Sequence, residues 1–159
     1  MAYQVFVTVT GAKQGVFKGG STQKGREGKV QALSASYGVA VPRDAATGQA
    51  TGKRMQKPVT ITLEWDTAST QFLTAAYNNE TLSSVVIEYY AQTKDGLEKV
   101  DHTVKLKNGT ISEITDSYAA AINGVADGRE IQTIAINFQS IEVSTTGGSS
   151  AVDELRPYL

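Results

Sequence analysis

The run Pro58-Val-Thr-Ile-Thr-Leu-Glu-Trp65 places Val59, Ile61, Leu63 and Trp65 in strict alternation with Thr60, Thr62 and Glu64. A period of two sends one set to each face of an extended strand, one face apolar and the other wet. Strand-like patterning recurs along the 159 residues. It marks strands at Tyr3–Thr10, Val30–Val41, Ser84–Tyr90, Leu97–Lys107 and Ile131–Phe138. In the second of these, Leu33, Tyr37, Val39 and Val41 form the more apolar face. Only Asp66 to Asn78 has helical spacing. Phe72, Leu73, Ala76 and Tyr77 share a face there, and Asp66 stands where it can cap the first turn. Strands and helices do not alternate, which excludes a doubly wound parallel sheet. Seven or so strands and one helix predict a mainly β fold, a barrel or sandwich with the helix packed against its side.

The connections carry further expectations. Asn108-Gly109 suits a two-residue hairpin turn, with Thr110–Ile114 pairing back, because both positions tolerate positive φ. The apolar phase shifts between Phe138 and Ile141, which predicts a bulge or bend near Gln139-Ser140. Gly11–Lys29, with six glycines and five basic residues, reads as a long loop or loose ribbon. Pro42–Lys57 reads as a second long loop. Loops of that length are commonly functional. Ala119–Gly128 is a small-residue loop. Residues 1–143 are expected to form one domain and residues 144–159 a flexible tail.

Gly48-Gln-Ala-Thr-Gly52-Lys53-Arg54 comes close to a phosphate-binding loop and fails it. Three residues separate the glycines instead of four, Arg54 replaces the magnesium-binding hydroxyl, and a strand follows where a helix is required. With no cysteine, the chain has no disulfide framework, thiolate metal site or cysteine nucleophile. His102 is the single histidine. Alternation puts Asp101 on the opposite face, leaving His102 without a catalytic partner. No nucleophile elbow or calcium loop is present. No enzyme, cofactor or metal site is expected. Neither a leader nor an apolar run of about 18 residues occurs, so no signal peptide or membrane span is expected. The sequons at Asn79 and Asn108 are then accidental.

Charge is unevenly placed. Residues 1–57 hold nine Lys/Arg against two Asp/Glu, and residues 58–159 hold six against fourteen. The basic residues lack the interleaved aromatics of a single-strand nucleic-acid binder. Two readings remain. Opposite fields on one chain allow copies to meet head to tail; alternatively, folding mixes the halves into an ordinary surface.

The order of the pieces resembles a known family. Lys53-Arg-Met-Gln-Lys-Pro-Val-Thr-Ile-Thr62, the helix with Phe72, Leu73 and Ala76, Asn79–Glu88, Val104–Ser112 and Ile134–Val143 are similar to segments of haemolysin co-regulated proteins, the tube subunits of bacterial type VI secretion systems. The likeness covers most of residues 3–143, with Lys57-Pro-Val-Thr-Ile-Thr62 its most specific part. Gly11–Lys29 and Ala119–Gly128 depart from the pattern. The resemblance implies a two-sheet β-barrel with one helix and no catalysis. It implies six-membered rings stacked into a hollow tube inside a contractile sheath. Spike and baseplate proteins would be further partners, and small effectors would be cargo. The chain would leave the bacterial cytoplasm through the apparatus itself. The extended loop would carry Arg43, Asp44, Lys53, Arg54 and Lys57 toward an adjacent ring or the sheath. A tube of a related phage-tail-like injector is the neighbouring possibility. From a different class comes a lectin-like barrel using Tyr37, Trp65, Tyr89 and Tyr90 as a sugar platform.

Overall fold

A computed structural model describes residues 4–118 and 130–154. The first sheet is antiparallel. β1 (Gln4–Gly11) pairs with β6 (Leu82–Gln92), with β3 (Val30–Ala32) and with the two-residue β2 (Gly15–Val16). β6 pairs with the front of β7 (Glu98–Ser117), β7 with β9 (Ser140–Thr145), and β9 with β10 (Ser150–Glu154). The second sheet contains the rear of β7, β8 (Ile131–Asn137), β5 (Met55–Glu64) and β4 (Ser34–Ala40). Two extended stretches belong to both sheets. One is β7. The other is β3–β4, interrupted only by Leu33, whose N–H donates to the Thr62 carbonyl at 2.7 Å. Pairing therefore runs from β1 through β6, β7, β8 and β5 to β4, and β4 continues directly from β3, which pairs back to β1.

Alternation fills this circuit as expected. Val7, Val9, Val59, Ile61, Leu63, Ile87, Leu106, Ile134 and Ile136 are buried in one core. α1 (Ser69–Tyr77) packs against β7, and Phe72 meets Phe17 edge to face with ring centroids 5.1 Å apart. Pro58, which has no N–H to donate, lies where β5 places two residues opposite Tyr37 of β4, a bulge that tolerates it.

Several expectations are corrected. Asn108-Gly109 is not a hairpin turn, because β7 runs straight through it. Asn108 does adopt positive φ, at 53°, but the twist it supplies carries the strand from one sheet to the other. Gly109 beside it sits closely packed, since a Cβ there would lie 3.0 Å from Ile136 Cγ2 and 3.1 Å from the Asn137 carbonyl oxygen. The expected bend near Gln139-Ser140 is present, where the chain leaves β8 and begins β9 in the other sheet. Asp66 does not cap α1; the N-cap is Ala68, with no side-chain bond. The Asp66 carboxylate instead accepts the Gly20 N–H at 2.9 Å. The buried helix stripe is Ser69, Phe72 and Ala75, while Tyr77 is exposed. On β4 the small residues Ala35, Gly38 and Ala40 face inward, and Tyr89 donates to the Ala35 carbonyl at 3.4 Å. Leu33, Tyr37, Val39 and Val41 are therefore exposed. Asp101 reaches His102, with Oδ2 3.1 Å from Nδ1. It is the extra residue where the β6–β7 register shifts, so strict alternation fails there. The expected tail from Ser144 is paired over Ser150–Glu154 as β10.

The Gly11–Lys29 segment is organised as well. The buried Glu80 carboxylate accepts the Lys13 and Gln14 N–H groups at 3.1 and 3.0 Å, and these bonds hold its pKa below the ordinary value. Gln71 of the helix accepts the Lys18 N–H at 2.8 Å. The Ala119–Gly128 loop lies outside the described residues.

Two outcomes follow for urea unfolding. Asn108→Val should cost about 1–2 kcal/mol, because a β-branched residue is strained at positive φ, whereas Asn108→Gly should stay near wild type. Glu80→Ala, which orphans two N–H groups, should cost about 1.5–3 kcal/mol.

Candidate interface around the β4–β5 hairpin

The segment expected as a long loop is a compact hairpin joining β4 to β5. Beyond the last ladder pair, Ala40 with Met55, an isolated bridge joins Arg43 to Ala50. The Thr51 N–H donates to Pro42 O at 3.0 Å, Asp44 N–H to Gln49 O at 2.8 Å, and Gly48 N–H to Asp44 O at 2.8 Å. The Asp44 carboxylate accepts the Ala46 N–H at 2.8 Å, an Asx turn that starts the reversal. Gly48, at φ 73°, completes it. Residues 41–55 are exposed apart from Pro42.

The five residues singled out from sequence have different surroundings. Arg43 and Asp44 form the hairpin, and the Arg43 guanidinium donates to the Gly48 carbonyl at 3.3 Å. Lys53 is exposed on the return limb. Lys57 lies within β5 opposite Gly38, so it belongs to the ladder. Arg54 is engaged within the protomer. Its Nε donates to both Asp153 carboxylate oxygens, at 3.0 and 2.8 Å, and its Nη2 to Oδ1. Gln56 Nε2 adds a bond to Oδ2 at 2.7 Å. Sequence reasoning missed Asp153 by assigning it to a floppy tail. The Gly147-Gly148 pair ahead of Ser150-Ala-Val-Asp-Glu154 was an available turn signal.

Folding also pairs the two unequal charge segments. Arg26 meets Glu98 at 2.5 Å, Lys29 meets Glu88 at 2.6 Å, and Arg54 meets Asp153. Each pair joins the basic part of the chain to the acidic part. The Arg26 guanidinium also lies 4.1 Å from the Tyr90 ring centroid. The mixing reading thus accounts for part of the asymmetry.

Beside the hairpin, an apolar groove of about 360 Å³ separates β4 from the β9–β10 hairpin. Tyr37, Val39, Ile141, Val143 and Val152 line it, and Asp153 closes one end. β4 pairs with β5 alone along Ser34–Ala40 among the described residues, so its other edge offers unpaired backbone groups. The four aromatics of the sugar-platform reading do not assemble. Tyr37 lines this groove and Trp65 a different cleft. Tyr89 is buried and stacked on His102, with centroids 4.0 Å apart, and Tyr90 packs edge to face on Phe6.

Hydrogen bonds from Arg54, then from Gln56, hold the Asp153 carboxyl down at about 2. The folded value lies below that of the unfolded chain, near 3.9. The clasp therefore stabilises fully above about pH 4, and its contribution fades as pH falls toward 2. Asp153→Asn should lower the melting temperature at neutral pH, with the gap to wild type closing through that acid window in a pH series of thermal melts.

The family model described as "Type VI secretion system effector, Hcp" matches residues 6–144. The "Major exported protein" of Pseudomonas aeruginosa is 31% identical, over 94% of this chain and 95% of its own length. Among solved structures, one described as an Hcp protein superposes with a TM-score of 0.87 at 23% identity, covering 96% of this chain and 99% of the other. The Hcp1 protein of the E. coli EAEC 042 pathovar gives 0.84 at 21% identity, covering 96% and 99%. Secreted protein Hcp3 of Pseudomonas aeruginosa gives 0.79 at 23% identity, covering 98% and 100%.

Proposed function

The chain belongs to the Hcp family of type VI secretion tube proteins, and from that premise we propose that six copies close into a ring whose rings stack inside a contractile sheath. The family is structural and non-enzymatic. Small effectors ride in the lumen, and contraction pushes the tube, led by spike and baseplate proteins, into a neighbouring cell. Export runs through the apparatus itself. Among the described residues no helix is long and apolar enough to cross a membrane.

One observation in the geometry carries the ring reading, namely the open flank of β4. It combines an unpaired strand edge with exposed Tyr37, Val39 and Val41 and the adjoining apolar groove. An edge of this kind is a liability in a lone protomer and is covered when a neighbour lies against it. A lateral neighbour covers the flank, and the hairpin remains free to project along the tube axis. Arg43 and Lys53 there meet acidic partners in the next ring or the sheath. Exposed pairs of this kind are worth only ~0.2–1 kcal/mol each. Repetition around a ring makes them sum, and salt weakens them.

Light scattering with negative-stain microscopy of the purified protein should show open six-membered rings. A monomer across concentration and salt would overturn the ring reading. The double reversal Arg43→Glu/Lys53→Glu leaves the Arg54–Asp153 clasp intact. It should preserve rings while shortening or abolishing stacks at low salt. Stacks of normal length would exclude the hairpin charges from the contact.

A further inference from the structure

Phe6 is fully buried, yet it lies outside the core cluster. Val5, Val7 and Val9 of β1 belong to that core, so alternation sends Phe6 to the opposite face of the sheet. Tyr90 of β6 meets it there edge to face, with centroids 5.5 Å apart. An aromatic pair on that face stays dry only under a cover. The segment beside it is Lys18-Gly-Gly-Ser-Thr-Gln-Lys-Gly-Arg-Glu-Gly-Lys29, which holds no apolar side chain.

Arg26 covers the pair instead. Its guanidinium carbon lies 4.1 Å from the Tyr90 ring centroid and 5.1 Å from that of Phe6. Nη1 donates to Gln4 Oε1 at 3.0 Å and to Gln23 Oε1 at 2.8 Å, and Nη2 meets Glu98 Oε2 at 2.5 Å. The side chain is only 12% exposed. A ring face for the flat cation and acceptors around its rim are what a guanidinium requires. A compact, strongly hydrated ammonium gains less from the same set. Gln4, Phe6, Tyr90 and Glu98 stand on β1, β6 and β7, and only Gln23 belongs to the segment that carries Arg26. The receiving surface is therefore sheet, and its occupant is loop.

Little else fastens this part of the loop to the sheet. Its main chain bonds to itself: the Ser21 N–H donates to Lys29 O at 3.2 Å, Arg26 N–H to Gln23 O at 2.9 Å, and Gly28 N–H to Ser21 O at 3.1 Å. The root is tied separately, where the Lys18 and Gly20 N–H groups donate to the side chains of Gln71 and Asp66. Lys29 adds one ion pair to Glu88 at 2.6 Å. Four glycines raise the entropy lost on ordering residues 18–29. Two of them, Gly25 and Gly28 at φ 84° and 77°, flank Arg26. Charge-assisted contacts, with no apolar anchor in the loop, thus oppose that entropy.

We propose that Gln4, Phe6, Tyr90 and Glu98 form a guanidinium-binding pocket that Arg26 fills as an internal ligand, so that residues 18–29 are a latch which an external guanidinium displaces. The pocket is complete within one protomer.

Arg26→Ala empties the pocket and leaves its sheet residues in place, with circular dichroism checking the fold. Methylguanidinium titrated into this variant should bind saturably by calorimetry and raise its melting temperature. Methylammonium at the same ionic strength should do neither. Wild type, where Arg26 competes, should bind methylguanidinium at least about tenfold more weakly, and so should Arg26→Ala/Glu98→Gln. Equal responses to the two cations, or binding to wild type as tight as to the variant, would overturn the pocket. Should Arg26→Ala not fold, hydrogen exchange on wild type decides. The Ser21, Arg26 and Gly28 amides should exchange faster in methylguanidinium than in equal methylammonium, while the Ile61 and Leu63 amides of β5 stay unchanged. No difference between the cations at the three loop amides removes the latch.

Discussion

A strand shielded from water needs a partner for every backbone N–H and C=O, and here that need is met by strands that leave one sheet for the other. β7 pairs with β6 and β9 over its front half and with β8 over its rear half. β3 and β4 make the same transfer between β1 and β5. Without the twist at Asn108-Gly109 the two sheets would not share β7. The core residues of β5 and β8 would then lose the surface they pack against. The position of β5 follows from this closure. It is held by β4 on one side and β8 on the other, so its two ends point to fixed and opposite places. The hairpin occupies one end and the Trp65 cleft the other.

Electrostatics act at two levels. The coarse asymmetry between the basic first third and the acidic remainder is partly spent inside the protomer, where Arg26, Lys29 and Arg54 each find a carboxylate from the other segment. These pairs tie loops and the last hairpin to the body of the sheet. The β4–β5 hairpin and the cleft beside Trp65 lie at opposite ends of β5. Charge contacts between protomers steer association more than they strengthen it.

Much of the fold was legible because period two is a strong signal. Val59, Ile61 and Leu63 are buried as their alternation requires, and the order of segments resembles that of the Hcp family. The errors have local causes. Asn108-Gly109 satisfies the dihedral requirement of a turn and of a strand crossing equally, and only the presence of two sheets distinguishes them. Leu33, Tyr37, Val39 and Val41 looked like the inward face of β4 because they are larger. The inward face instead carries Ala35, Gly38 and Ala40, where the Tyr89 hydroxyl donates to the Ala35 carbonyl. Asp66 looked like a cap because it precedes a helix, but its carboxylate was taken by Gly20, 46 residues earlier. Of the candidate interface, the hairpin and its charges could be read, while the engagement of Arg54 by Asp153 could not.

By itself the sequence determined a β-rich chain with one helix, the strands that build its core, the absence of thiol chemistry and the family to which it belongs. The first three are consequences of periodicity and composition, which act over a few neighbouring residues; the family follows from resemblance in the order of segments. Tertiary structure decided which face of β4 is buried, where β7 changes sheets, which basic residues are already paired, and that hairpin and cleft stand at opposite ends of one strand. Each of those depends on residues far apart in sequence, such as Arg54 with Asp153 and Gly20 with Asp66. The competition for a carboxylate or a core volume is settled only when distant segments arrive at the same place.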